Sequence, residues 1–237
     1  MAKPHTTWKV LAHGPIEKLS AHLWRVEGQL EGAPMKRVMS VGKRADGTLV
    51  IHNAIALGDA EMAELDAWGK VSTIVVPNGF HRLDAKVFHD RYPDARVLCP
   101  AGTKAKVEQV VAVNGSYEDF GSDPVVELVT LDGTKQREGA MIVRSPDGTS
   151  VVLNDAVFNM PHVKGFAGFV LRRVTGSTGG PRVSRLSKML LIADKPAFRA
   201  HLERLAELPA LARIVVSHHE TISEDPAGTL KAVAAQM

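Results

Sequence analysis

Two stretches of the chain, ADGTLVIHNA (45–54) and PDGTSVVLND (146–155), align without a gap, and this repetition constrains the fold more than any other feature. Asp46, Gly47, Thr48, Val50 and Asn53 match Asp147, Gly148, Thr149, Val151 and Asn154. Each stretch places Asp-Gly between β-rich arms, the pair that a tight hairpin turn selects. Each is followed by a helical stretch. An Ile-Val-Val strand then runs straight into a histidine-bearing loop, TIVVPNGFH in one half and RIVVSHHE in the other. A unit repeated in this order predicts two β-rich halves, about 20–120 and 121–237, packed as two sheets with helices outside.

The remaining elements fit that plan. HLWRVEGQL (22–30) reads as a strand, and Met62, Leu65 and Trp68 have helical spacing that stops near Gly69. A helix over about 84–91 is stopped by Pro93, and ARVLCP is a short strand. In the second half VVELVTL is a strand, and DKPAFRAHLERLAEL is a helix with Pro196 in its first turn. AGTLKAVAAQ is a short C-terminal helix. With 237 residues, 45% of them hydrophobic, the chain can bury a substantial core as one large domain or two small ones.

A formal charge of +3 is too small to imply nucleic acid. Cys99 is the only cysteine, so neither an internal disulfide nor a cysteine-based zinc motif is available. No leader-like h-region and no apolar run of about 18–20 residues is found, so a cytoplasmic protein without a transmembrane segment is expected.

The residues suited to chemistry lie on loops that follow strands. His81 follows IVVP, Asp155 follows SVVLN, and His218 follows RIVVS. Imidazole and carboxylate together suit zinc, iron or manganese. Asp84 is a fourth candidate ligand, and it is also a good N-cap for the helix behind it. Asn78 can shape its loop through Asx-type bonds. His218 and His219 are adjacent, so one of them at most enters a shared site. His52, His89 and His162 have no motif support.

In this order of loops the chain resembles the metallo-β-lactamase superfamily, and in texture a bacterial branch of it with a degenerate metal-binding motif. GFHRLD falls where that family has H-x-H-x-D-H, LND at Asp155 resembles its bridging aspartate, and SHH at His218 its final histidine. The resemblance covers roughly 20–220. It implies an α/β (α+β) fold, a four-layer αββα sandwich forming a single domain over 1–237. Gly79 stands in place of the first histidine, Leu83 in place of the aspartate and Asp84 in place of the third histidine. The stretch before GAMIV offers only Gln136 or Glu138 where a further histidine is expected. The resemblance therefore implies one divalent ion at most, held by His81, Asp84, Asp155 and His218, with Asp155 or Asp84 as the catalytic carboxylate. Three functions follow: a divergent hydrolase acting on an ester, amide or phosphoester, a non-catalytic protein binding a ligand or partner in the same cleft, or an iron-binding redox protein.

Residues 156–193 contain no Asp or Glu but carry Lys164, Arg172, Arg173, Arg182, Arg185 and Lys188. Such charge attracts an anionic small molecule or a headgroup. Arg172 and Arg173 are accordingly candidate substrate-binding residues, with Asn78. The basic Gly-rich insertion, about 160–190, is expected to be a lid or a solvated connection. Its Phe166, Phe169, Val170 and Leu171 are expected to pack in the core, or else to line a pocket wall or a homodimer contact.

Overall fold

The structure, a computed structural model, describes residues 3–33 and 35–237. Six strands form the first sheet: β1 (Glu17–Ser20), β2 (Leu23–Gln29), β3 (Lys36–Lys43), β4 (Leu49–His52), β5 (Val71–Val75) and β6 (Arg96–Leu98), side by side in chain order. The first four are antiparallel, while β4, β5 and β6 run parallel. Helices α1 (Asp59–Trp68) and α2 (Ala85–Arg91) make the parallel crossovers, and α3 (Lys104–Val107) follows β6. The second sheet contains β7 (Val126–Thr130), β8 (Gly139–Ser145) and β9 (Gly148–Leu153), with β12 (Leu211–Val216) parallel to β9 at its edge. Gly47 and Gly148 of the two Asp-Gly pairs take positive φ, 83° and 126°, in the β3–β4 and β8–β9 turns.

Alternation along the strands explains the layers. Side chains at successive strand positions point to opposite faces. Val38, Val50 and Val75 of the first sheet meet Met141, Val152 and Val215 of the second in a central core. Their neighbours Met39, Ile51 and Ile74 point the other way and pack with Met62, Leu65 and Phe88 of α1 and α2. Ile142, Val151, Val216 and their neighbours pack likewise against two helices, α6 (Lys195–Ala206) and α7 (Pro226–Ala234). The result is helix, sheet, sheet, helix. On α6, Phe198, His201, Leu202 and Leu205 form the buried stripe, and Asp194 caps the helix by accepting from the Ala197 N–H at 3.0 Å.

The insertion is ordered into elements of its own. β10 (Phe158–Met160) pairs with β11 (Gly180–Arg182) in a small ribbon. Between them α4 (Gly165–Val170) runs into a π-helical turn, Leu171–Thr175, which ends at Gly176 with a left-handed φ of 62°. Helix α5 (Arg185–Leu190) follows, capped by Ser184. The expected core packing of this segment is corrected by its exposure: Phe166 is 82% and Phe169 58% exposed. Val170 and Leu171, at the junction with the π-helical turn, are half-buried. Among the described residues no helix is long and apolar enough to cross a membrane.

Phe198→Ala, which empties a fully buried site, is expected to cost about 3–5 kcal/mol in urea unfolding. Phe166→Ala is expected to change stability by less than about 0.5 kcal/mol.

Candidate metal centre

The loop after β5 is organised by Asn78, which is fully buried. Its side-chain oxygen accepts from the backbone N–H groups of Phe80 (2.8 Å) and His81 (3.1 Å), the Asx bonds expected of such a loop. This fixes its amide orientation, so that Nδ2 faces the site. Nδ2 donates to Asp155 Oδ2 at 2.8 Å and to Glu138 Oε2 at 2.9 Å. Asn78 therefore sets the path of the loop and the rotation of the carboxylate opposite. Gly79 faces elsewhere: a Cβ there would meet the aliphatic stem of Lys106 at 2.8 Å.

Three strand ends then converge. His81 comes from the loop after β5, Asp155 from the end of β9, and His218 from the end of β12. One donor atom from each lies within 4.8 Å of the others. The tautomers follow from the outer partners. His81 Nδ1 donates to Asn53 Oδ1 at 3.0 Å, and Asn53 is itself oriented because its Nδ2 donates to the Val38 carbonyl at 2.8 Å. His218 Nδ1 donates to the Lys36 carbonyl at 2.8 Å. With Nδ1 carrying the proton in both rings, each neutral imidazole presents a bare Nε2. Both Nε2 atoms point at Asp155 Oδ1, at 3.1 and 3.2 Å. Burial works against the Asp155 charge; where the rings also carry a proton on Nε2, the charge and hydrogen bonds of His81 and His218 outweigh burial and hold the carboxyl well below the usual carboxylate range, and with the rings neutral that support is absent. Three acceptors thus face one another, an arrangement that requires a shared cation, either protons or a metal ion.

Neighbouring groups complete the setting. The Phe158 ring stacks on His218 with centroids 5.2 Å apart and planes 6° from parallel. Glu138, also fully buried, is pushed well above the carboxylate range by burial and by the adjacent Asp155 charge. A cavity of about 500 Å³ opens over His81, Asp155 and His218, with Leu30, Met35, Phe80, Leu190 and Leu191 among its walls. Asp155 is the only carboxylate in that lining among the described residues. Among the described residues, His81, Asp155 and His218 are the one group of His, Cys, Asp and Glu side chains with metal-ligand spacing.

Asp84 lies outside this group and outside the cavity lining, which corrects its expected roles as metal ligand, catalytic carboxylate and helix cap. Its side chain makes no capping bond to α2. Its carboxylate is buried against Arg37 and His5, at 2.6 Å from each, and also accepts from the Ala56 N–H at 3.2 Å. It neutralises the Arg37 guanidinium, which forms part of the cavity wall. Arg172 and Arg173 are exposed on the π-helical turn and do not line the cavity. The orienting role of Asn53 was not foreseen, although Asn53 and Asn154 close the repeated motif. Its positive φ of 59°, which asparagine tolerates better than most residues, turns it toward His81.

Two predictions follow from the groups around the centre. Asp84→Ala leaves a buried guanidinium unpaired and is expected to cost about 3–5 kcal/mol in urea unfolding. His52 is fully buried, neither ring nitrogen has a partner among the described residues, and burial, with a smaller contribution from His81, lowers its pKa from 6.5 to about 3. The unfolded chain then binds this proton below pH 6.5 while the folded one does not until about pH 3, so stability falls as pH drops through that window. Urea midpoints between pH 7 and 4 are expected to fall less steeply for His52→Leu than for the unaltered chain.

No family model matches the chain, and no curated protein matches it. Solved structures do. The chain is similar to the metallo-β-lactamase from Erythrobacter litoralis with β-mercaptoethanol in the active site, at 11% identity and a TM-score of 0.59, over 94% of this chain and 96% of that one. It is also similar to DIM-1 metallo-β-lactamase exposed to ceftazidime, at 12% identity and a TM-score of 0.61, over 96% of this chain and 99% of that one. The chain has the metallo-β-lactamase fold.

Proposed function

We propose that this metallo-β-lactamase-fold chain is a hydrolase holding one divalent ion on His81, Asp155 and His218. The supporting observation is that two imidazole Nε2 atoms, each left bare by an Nδ1 bond on its far side, aim at the same carboxylate oxygen. Metal-ligating histidines are oriented in this way, with the outer nitrogen tied to a carbonyl-type acceptor. Two nitrogens and one oxygen suit zinc, iron or manganese, and three protein ligands leave a position open for water. When bound, such an ion acts as a Lewis acid and lowers the pKa of water toward about 7.

The chain supplies the rest. Asn78 holds the carboxylate, Asn53 and the Lys36 carbonyl hold the imidazoles, and Phe158 braces His218. The apolar cavity wall accepts the body of a small substrate while a carbonyl or phosphoryl group lies over the three donors. An ester, an amide or a phosphoester fits this description. A second reading, ligand binding without turnover, is favoured by one observation: among the described residues no carboxylate beyond Asp155 lines the cavity, so none faces a substrate there as a separate general base.

Metal analysis after purification without added metal tests the proposal. About one ion per chain is expected, with near-complete loss in His81→Ala, Asp155→Ala and His218→Ala. Asn78→Ala is expected to weaken metal affinity by about 10–100-fold. A metal-free wild-type chain that takes up no added zinc, iron or manganese would sink the metal site. A metal-loaded chain that turns over no ester, amide or phosphoester would leave the binding reading.

A further inference from the structure

We propose that the face built by α4, the π-helical turn and α5 docks the protein on an anionic membrane surface. The inference is independent of the metal. Seven large apolar side chains are exposed among the described residues, and six belong to this face: Phe166, Phe169, Val174, Leu186, Met189 and Leu190. Phe166 and Met189 are 82% and 71% exposed, well beyond the scattered apolar exposure of an ordinary surface. The elements form one unit, because the Arg185 guanidinium donates to the Arg173 carbonyl and the Ser177 N–H to the Leu171 carbonyl.

The charge of the face selects its occupant. The six cations of residues 156–193 have no acidic residue in their own segment. Arg182, Arg185 and Lys188 donate to backbone carbonyls, and among the described residues none of the six forms an ion pair with a carboxylate. The whole chain carries only +3, so the remainder is net acidic and the positive charge is concentrated here. A second copy meeting this face symmetrically would bring cation against cation. A bilayer with anionic headgroups suits both parts of it. Lys and Arg lie at phosphate level while Phe, Met and Leu reach past it into the acyl boundary.

The face also adjoins the cavity. Leu186 and Leu190 are exposed and line the cavity as well, and Ser187 between them donates to the Asp155 carbonyl at 2.7 Å. Docking by α5 therefore brings the cavity mouth to the lipid surface.

Co-sedimentation of the full chain with phosphatidylcholine vesicles, with and without phosphatidylglycerol, tests this. Binding is expected only to the anionic vesicles and is expected to fall as salt rises. Arg172→Glu/Arg173→Glu is expected to reduce partitioning by at least about tenfold, and Phe166→Ser/Phe169→Ser to reduce it as well. Lys70→Glu/Arg96→Glu, an equal change of charge at the starts of β5 and β6, the opposite strand ends from the cavity, is expected to leave most of the binding intact. All these positions are exposed, and unchanged melting curves would show that each variant folds. The proposal is overturned if anionic vesicles do not retain the protein or if the face variants bind like wild type. It is overturned equally if Phe166→Ser/Phe169→Ser abolishes a dimer in light scattering while vesicles are ignored.

Discussion

The two sheets share a single layer of apolar side chains, and each sheet is also covered by helices on its outer face. Both faces of the central strands are therefore buried, and polar groups along them would need internal partners. Chemistry is pushed to the strand ends, where the backbone leaves the sheet and side chains can face a cavity. The ends of β5, β9 and β12 contribute Asn78, His81, Asp155 and His218. The geometry of the centre is a consequence of how the strands are buried.

Within the centre the governing relation is between lone pairs. Two bare imidazole nitrogens and an ionised carboxylate oxygen, 3.1–3.2 Å apart, repel one another unless a positive charge lies between them. Asn78 keeps the carboxylate in place by donating to its other oxygen, and Asn53 and the Lys36 carbonyl prevent the rings from turning away. Arg37 adds positive charge to the cavity wall, and the buried Asp84 compensates it.

Much of this was legible in the sequence. His81, Asp155 and His218 could be picked out because each follows a short apolar strand, and strand ends are readable from pattern alone. Asp84 could not be placed, because its partners His5 and Arg37 are distant in the chain and only the fold brings them together. Position before a helix suggested a cap, but pairing with a buried guanidinium took precedence. Phe166 and Phe169 read as core because apolar letters usually are core, and nothing in the sequence says that no layer covers them. Glu138 stood where a histidine was sought, and its burial beside Asn78 became visible only in three dimensions.

The central claim is that the charge between these three side chains is a metal ion. Anomalous diffraction from crystals grown with zinc, iron or manganese, recorded at the absorption edge of the metal, tests it most directly. The account predicts a single anomalous peak about 2.0–2.2 Å from the Nε2 atoms of His81 and His218 and from a carboxylate oxygen of Asp155. Crystals that show no peak there, with the three side chains still in contact through protons alone, would contradict it.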